Sequence, residues 1–362
     1  MVPHLVNLNG NKGVISLLIC IITQSFGFGN LFFSTDLTSG RKYVNIITVN
    51  STIGRKQEGE NSMNGTVIAF AIAGGALALG AAGSTIGALT LFNKVITRQD
   101  QLRVNLDEMA DMAKWEEYKK VIHPRKEWIL QRSSEHITIK SRDNLTLHGD
   151  YFPADNPSDT IVIAHHGYTS MGMNDCPSIC SFFLKKCADC LIVDNRGHGK
   201  SEGKYIGFGI LDRYDCLEWI KYAVNRFGRD NKIILYGVSM GATTVVMTAG
   251  FPDLPENVKL VISDCAFTSP YDVFSHILKR DYHLPPFPVM NINDALCRQK
   301  AGYGFQDYST LTAVANTKIP ILFIHGKEDD FVPTWMSEKN YVACRSPKDL
   351  YLVDKAGHAA SL

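Results

Sequence analysis

The chain has 362 residues, enough for one α/β domain of about 200–250 residues with extensions. It carries 37 Lys and Arg against 36 Asp and Glu, so its charge gives no reason to expect nucleic acid as a partner. Nine cysteines, an odd number in a long chain, favour free thiols and a reducing compartment.

Residues 66–92 form an apolar stretch of 27 positions without a charged side chain. A membrane-spanning helix needs about 20 such residues. The stretch is rich in glycine, which weakens a helix in water but is common in membrane helices. We therefore predict a transmembrane helix over residues 63–93 rather than a buried Ala/Gly-rich helix.

Residues 1–62 precede this helix and admit more than one interpretation. They contain a second apolar stretch, residues 14–33, which fits a signal-peptide core or another span. Alternatively, residues 1–62 are a leader that is not translated. Residues 57–60 can be encoded by a purine-rich run that looks like a bacterial ribosome-binding site, at a suitable distance from Met63. We hypothesise that translation starts at Met63.

Positive charge follows the predicted helix at Lys94, Arg98 and Arg103. The positive-inside rule then places the rest of the chain in the cytoplasm, in agreement with free thiols. An anchored domain outside the membrane is the alternative. Residues 94–131 are charged and amphipathic and predict a juxtamembrane helical linker, which Pro124 should break into two helices.

From residue 132 to 362 the pattern is that of an α/β domain. Two segments that flank Arg142–Asn144 predict a β-hairpin. Apolar runs then alternate with helical stretches, notably 211–227 and 240–249, which predicts a mainly parallel sheet with helices on both faces. The predicted strands are residues 160–166, 190–195, 232–237, 259–264, 320–326 and 349–354.

Four cysteines lie close together in the sequence, at positions 176, 180, 187 and 190. Their spacing, C-x3-C-x6-C-x2-C, is not a usual zinc pattern. Cys180 and Cys187 fall in an apolar helical stretch, and Cys190 opens a predicted strand. We expect buried thiols that pack as small hydrophobes, and no metal, with a metal site as the alternative.

A G-x-S-x-G motif, Gly237–Gly241, directly follows a predicted strand and opens a predicted helix. In this context the motif is the sharp turn that exposes a nucleophilic serine and needs small flanking residues. Ser239 is therefore the candidate nucleophile. Because a serine hydroxyl is a weak nucleophile, a base and an orienting acid should accompany it.

The acid and the base should follow at later strand ends in the order Ser, Asp, His. Asp329 and Asp330 come after the next-to-last predicted strand, and His358 lies in a loop after the last one. We predict His358 as the general base and Asp329 as the carboxylate that orients it. Asp330 stays open as the acid, and so does Asp264, which ends the strand after the serine helix.

Two backbone N–H groups should stabilise the oxyanion of such a reaction. One is that of Met240, the residue after the nucleophile. For the other we predict the N–H of Tyr168, in a loop where Gly167 lets the backbone approach the substrate. Several histidines near these loops are expected to be structural rather than basic: His165, His166, His198 and His325.

Together the motifs resemble the α/β-hydrolase superfamily, and within it bacterial serine-aminopeptidase-like or esterase-like hydrolases with an N-terminal membrane anchor. The resemblance implies an α/β-hydrolase fold over residues 132–362 with a small helical cap inserted at about 268–315. It also favours Asp329, the aspartate of H-G-x-x-D, over Asp330. The resembling segments are His166–Tyr168, Asp194–Ser201, Gly237–Gly241, His325–Pro333 and Gly357–His358.

The predicted cap insertion is rich in aromatic and proline residues. These residues fit an apolar acyl or leaving-group site and equally fit ordinary lid packing.

Similar hydrolases continue into a final helix that packs on the sheet, whereas this chain ends four residues after His358. We therefore expect a truncated C-terminus, exposed apolar surface and a weakly held histidine loop.

The sequence thus predicts a serine hydrolase at the cytoplasmic membrane of a bacterium, cleaving a carboxylic ester through an acyl-enzyme on Ser239. A serine peptidase of the aminopeptidase type is the first alternative, because the motifs do not separate acyl from peptidyl substrates. A non-catalytic binding protein with this fold is the second. The mechanism requires neither a metal nor an organic cofactor.

Overall fold

The computed structural model describes residues 85–98, 112–156, 158–186 and 188–361. The predicted leader and most of the predicted transmembrane helix lie outside these ranges, so both stay predictions. Among the described residues, no helix combines the length and the apolar character that crossing a membrane requires.

In the described part of the chain, one sheet is formed by the strands β1 (Glu135–Lys140), β2 (Thr146–Phe152), β3 (Thr160–His165), β4 (Asp189–Val193), β5 (Lys232–Val238), β6 (Val258–Asp264), β7 (Ile321–Gly326) and β8 (Lys348–Val353). Their order across the sheet is β1-β2-β4-β3-β5-β6-β7-β8. β2 is antiparallel to β1 and β4, and every other neighbouring pair is parallel. The predicted mainly parallel sheet is confirmed.

Burial explains why the central strands are apolar along their length. Every residue of β3 after Thr160 is buried, because helices cover both faces of the parallel strands. The edge strand β1 is mostly exposed and carries polar residues. The turn from β1 to β2 holds Asn144 at φ 67°, a left-handed conformation that asparagine tolerates.

The helices of the described residues include α1 (Met112–Leu130), α2 (Gly172–Asp175), α3 (Pro177–Lys185), α4 (Asp212–Phe227), α5 (Met240–Ala249), α6 (Pro270–Tyr282), α7 (Val289–Ala301), α8 (Thr310–Asn316) and α9 (Trp335–Ala343). α4, α5 and α8 share one apolar cluster with the sheet, which includes Trp219 and Phe323. α1 and α3 pack on the opposite face, where Ile129 and Leu184 are buried.

A further apolar cluster lies between α6, α7 and the loops after the strands. It contains Phe274 and Met290 from these two helices, together with Met240 at the start of α5 and Val332 from the loop after β7. The two helices therefore form a helical cap, inserted between β6 and β7 as predicted.

The 85–98 segment packs against this cap. Residues 85–91 are helical, and Ala88 and Phe92 are buried in the cap cluster. Asn293 on α7 donates a hydrogen bond to the Ala88 carbonyl (3.0 Å). The last residues of the predicted transmembrane helix are thus part of the contact with the cap.

α1 runs through Pro124 as a continuous helix, so the predicted break at this proline is wrong. Proline removes one backbone hydrogen bond, the one that the carbonyl of Lys120 would accept. Both residues are exposed, so water can bond the freed carbonyl. Beyond the proline, the helix is held by the buried Ile129 and by Arg125, which donates to Ser178 Oγ (2.9 Å).

Three of the clustered cysteines, Cys176, Cys180 and Cys190, are buried in the apolar cluster beneath α3. Burial raises the pKa of Cys176 and Cys180 well above the usual thiol range and keeps them protonated. Protonated thiols in such a place pack as small hydrophobes. Cys187 lies outside the described residues, so a site built from all four cysteines is not tested.

Candidate active site

Ser239 lies in the sharp turn that joins β5 to α5. Its φ is 54°, a left-handed conformation that is strained for serine. Its N–H donates to the Asp264 carbonyl at the end of β6 (2.8 Å), which fixes the turn. Glycines flank it for steric reasons: a Cβ on Gly237 would collide with the backbone of Gly241, and a Cβ on Gly241 with that of His165.

Ser239, His358 and Asp329 are hydrogen-bonded in series. Ser239 Oγ lies 2.9 Å from His358 Nε2, and His358 Nδ1 lies 2.7 Å from Asp329 Oδ2. Because a carboxylate can only accept, Nδ1 carries the proton and Nε2 accepts from the serine hydroxyl. Ser239 and Asp329 are buried, whereas 24% of the His358 side chain is exposed. The series therefore opens to solvent at the imidazole.

Backbone and side-chain donors converge on Asp329. Its Oδ1 accepts from the N–H groups of Phe331 (3.0 Å) and Val332 (2.9 Å). Its Oδ2 also lies 3.1 Å from His325 Nε2. Burial alone would raise the pKa of Asp329, but the adjacent His358 and the hydrogen bonds from His325 and His358 lower it below its usual range. Asp329 is therefore an ionised acceptor, held in place on several sides.

Among the described residues, neither of the two alternative acids is hydrogen-bonded to the imidazole. The Asp330 side chain is 87% exposed, and its Oδ1 lies 3.7 Å from Arg280 Nη1. Asp264 is buried at the end of β6, and burial raises its pKa to about 6. The hydrogen-bond geometry of His358 favours Asp329 as the orienting acid.

Two backbone N–H groups adjoin Ser239. Met240 begins α5, where the first N–H groups of a helix have no partner in the helix itself. Gly167 approaches so closely that a Cβ on it would lie 3.5 Å from Ser239 Cβ, which brings the next residue, Tyr168, alongside. Across the described ranges, neither the Met240 nor the Tyr168 N–H donates a hydrogen bond. The loop is fixed by Asp175 Oδ2, which accepts from the Gly167 N–H (2.8 Å).

His165 and His166 hold the loops behind the serine. His165 Nδ1 lies 2.7 Å from Asn195 Oδ1, and the Asn195 N–H donates to His166 Nε2 (3.0 Å). His166 Nδ1 then carries the proton and donates to the Gly167 carbonyl (2.6 Å). Burial lowers the pKa of both histidines to about 4, so both are neutral at pH 7. These contacts are of the structural kind expected for them.

Aromatic side chains connect the Tyr168 loop to the cap. The Tyr168 ring lies 5.1 Å from that of Phe208, which lies 4.8 Å from that of Phe274 on α6. The Tyr168 hydroxyl donates to the carbonyl of Lys94 in the 85–98 segment (3.3 Å). Sequence reasoning missed this contact, because it treated the segment as a membrane span and linker.

Phe331 is a second side chain that sequence reasoning missed. Its ring centroid lies 5.0 Å from that of His358. The signal was available, since Phe331 is apolar and directly follows the charged run Lys327–Asp330. It forms an apolar wall beside the imidazole.

Comparison with known proteins supports the fold. A family model described as alpha/beta hydrolase fold matches residues 160–288. The chain is 32% identical over 209 residues to YqkD of Bacillus subtilis (strain 168), which is 58% of this chain and 67% of YqkD. The chain belongs to the α/β-hydrolase fold family.

Two further comparisons are more distant. Over 214 residues, 59% of this chain and 68% of the relative, it is 25% identical to the membrane protein YNL320W of Saccharomyces cerevisiae. The solved esterase PF2001 of Pyrococcus furiosus shares the fold, with a TM-score of 0.52 and 23% identity. That match covers 64% of this chain and 85% of the esterase chain.

Potential metal ligands in this α/β-hydrolase overlap with the hydrogen-bonded series. Donor atoms of Cys265, Asp329 and His358 lie within 4.8 Å of one another. Burial raises the pKa of Cys265 well above its usual range, so it stays a neutral thiol, whereas metals bind the thiolate. A metal here would also displace the hydrogen bond between His358 and Asp329.

Proposed function

We propose that the chain is a membrane-anchored serine hydrolase that cleaves carboxylic esters through an acyl-enzyme on Ser239. The observation that carries the proposal is the series from Ser239 Oγ to His358 Nε2 (2.9 Å) and from His358 Nδ1 to Asp329 Oδ2 (2.7 Å). Activation of a serine by a general base requires these donor and acceptor relations. A binding protein without catalytic activity has no need of them.

In the proposed reaction, Ser239 Oγ attacks the ester carbonyl carbon while its proton moves to His358 Nε2. Asp329 stabilises the imidazolium that forms. The carbonyl oxygen becomes an oxyanion and accepts hydrogen bonds from the N–H groups of Met240 and Tyr168. The carbon–oxygen bond to the alcohol then breaks, and the alcohol takes the proton from Nε2. Water deprotonated by the same nitrogen attacks the acyl carbon. The bond from that carbon to Ser239 Oγ then breaks, Oγ takes back the proton from Nε2, and the acid leaves.

The walls of the site support an ester with an apolar acyl group over an aminoacyl amide. Phe331 lies beside the imidazole, and the ring of Tyr168, the residue after Gly167, contacts that of Phe208. Aromatic walls bind an acyl chain by removing its apolar surface from water. A panel of acyl esters against aminoacyl amides separates the two classes, and faster cleavage of the amides would favour the peptidase alternative.

The membrane anchor is proposed from sequence. Residues 66–92 are uncharged, and Lys94, Arg98 and Arg103 follow, which favours a cytoplasmic hydrolase domain. The yeast relative is named as a membrane protein, which supports the same location. Fractionation of cells that express the full chain, with protease protection of the domain in inverted and right-side-out vesicles, tests both the anchor and its orientation.

Labelling by a fluorophosphonate probe tests the proposed nucleophile. We expect the wild-type chain to be labelled and Ser239→Ala not to be. Ser263→Ala is the matched control, because Ser263 is buried on the neighbouring strand and its Oγ has no hydrogen-bond partner among the described residues. A folded wild-type chain that resists the probe, or labelling that persists in Ser239→Ala, would contradict the proposal.

A further inference from the structure

The cap ends in an exposed apolar loop. α6 ends at Tyr282, and the loop runs to Pro288, directly before α7 begins at Val289. Three large apolar side chains in this stretch are exposed: Tyr282 (63%), Leu284 (46%) and Phe287 (72%). Large apolar side chains exposed together mark a surface that another molecule covers. Residues 282–288 are called the cap loop below.

The 85–98 segment leads to the cap loop. The Ala88 carbonyl is bonded to Asn293, and the Phe92 ring faces Lys300 Nζ (5.5 Å). The segment therefore runs in the same direction as α7, and the residues before Ala88 lie toward the beginning of α7, where the cap loop ends. Ile86 (50%) and Leu89 (38%) add exposed apolar surface to this part of the cap.

The chain that precedes this point in the sequence is apolar. Residues 66–84 contain no charged side chain, and the sequence predicts that they belong to a membrane span. The described part of the chain begins at Thr85, three residues before the contact of Ala88 with α7. Lys279 is exposed in the last turn of α6, directly before the cap loop, and a basic group there suits a surface that carries anionic headgroups.

The same end of the cap is connected to the proposed active site. On α6, His276 Nε2 and Arg280 Nη1 both donate to the carbonyl of Asp330 (2.8 and 2.6 Å). The next residue, Phe331, lies against His358. Tyr282, the first residue of the cap loop, therefore lies two residues after Arg280, which is bonded to the backbone next to Phe331.

We propose that the cap loop, with Ile86 and Leu89, docks on the surface of an anionic lipid bilayer, and that the site takes acyl esters of amphiphilic lipids from that bilayer. The inference rests on the proposed ester hydrolysis and names its substrate class. Tyr282, Leu284 and Phe287 insert among the headgroups, as apolar side chains of interfacial segments do. The predicted membrane span keeps the cap at the surface.

Fluorescence of a labelled cap loop tests the docking directly. The described cysteines are all buried, so an NBD label at Phe287→Cys is selective once Cys20 and Cys187, outside the described residues, are changed to serine. The full chain is reconstituted into vesicles of phosphatidylcholine and phosphatidylglycerol with doxyl-labelled lipid. We expect doxyl quenching at position 287 to be several times that at Val342→Cys, a control on α9 whose side chain is 78% exposed.

Two outcomes of this experiment would overturn the docking. Equal quenching at both positions places the cap loop in water. A label at position 287 that is shielded without doxyl quenching, and more so at higher protein density, assigns the surface to a second copy of the chain instead.

Hydrolysis of two esters separates this inference from the proposed function. We expect Leu284→Ser with Phe287→Ser to slow hydrolysis of methylumbelliferyl oleate in the vesicles about tenfold or more, since two buried apolar contacts are lost. Hydrolysis of soluble methylumbelliferyl acetate should change by less than about twofold, since neither residue touches the reacting groups. Val342→Ser should affect neither rate. If wild type cleaves neither ester, the proposed function fails. If it cleaves both and the double variant changes both equally, only the docking fails.

Discussion

At the carboxyl edge of the sheet, Ser239 lies in a turn whose backbone is bonded to the neighbouring strand, through Asp264 (2.8 Å). The cap is held differently, by apolar side chains and by contacts such as Asn293 to Ala88 (3.0 Å), which join residues far apart in the sequence. Reacting groups need placement within about 0.5 Å, which hydrogen-bonded backbone provides. A packed cap can open for a substrate. Substitutions at the carboxyl edge should therefore change the rate of the chemical step, whereas substitutions in the cap should change which substrates are cleaved.

The largest effect should come from Asp329→Asn. Without a carboxylate, His358 loses the partner that fixes its tautomer and stabilises its charge, and kcat for a soluble ester should fall about 10⁴-fold. Asp264→Asn is the control, because Asp264 ends the neighbouring strand without facing His358 Nδ1, and its kcat should fall by less than about tenfold. The reverse ranking would identify Asp264 as the orienting acid. Steady-state kinetics of both variants decide between them.

The same two carboxylates should affect stability with opposite dependence on pH. Burial raises the pKa of Asp264 to about 6, above its unfolded value of 3.8, so this group favours the folded state below pH 4 and loses that benefit as pH rises through 6. Asp264→Asn should thus stabilise the fold on the order of 2–3 kcal/mol at pH 8 and little at pH 4. The pKa of Asp329 is lowered instead, so its contribution is present above pH 4 and fades toward lower pH.

Urea unfolding of the wild type and both variants at pH 4 and pH 8 measures these contributions. Asp329→Asn should be less stable than wild type at pH 8, where Asp264→Asn is more stable. An equal gain for Asp264→Asn at both pH values would show that its carboxyl group is not the cause.

Gly241→Ala tests how tightly the backbone is packed at the carboxyl edge of the sheet. Its Cβ would meet the backbone of His165, which cannot move without shifting β3, so the free energy of unfolding should fall by about 1–3 kcal/mol. Gly87→Ala in the 85–98 segment is the matched control. A Cβ there meets nothing within 4 Å, and alanine favours a helix over glycine by about 1 kcal/mol. A thermal shift of opposite sign in the two variants sharpens the contrast between edge and cap.

The two regions also differ in how far sequence predicts them. A strand, a tight turn and a helix fix where the side chain of Ser239 points, so local sequence was enough to place it in a sharp turn. The contact of Asn293 with Ala88 spans 205 positions and depends on packing that no local pattern encodes. At Pro124 a local rule failed. Proline predicted a break between two helices, but the helix continues because the carbonyl that loses its hydrogen bond is exposed to water.

The smallest effect should come from Tyr168→Phe, at the point where edge and cap meet. The hydroxyl makes a 3.3 Å hydrogen bond to the Lys94 carbonyl, close to the limit for such a bond, so its loss should cost less than about 1 kcal/mol of stability. The proposed oxyanion donor is the backbone N–H of this residue, which phenylalanine keeps, so kcat should change by less than about threefold. A fall of 100-fold or more in kcat would mean that the hydroxyl itself acts on the substrate. The oxyanion would then be bound by a side chain that contacts the 85–98 segment, and not by a backbone N–H at the carboxyl edge of the sheet.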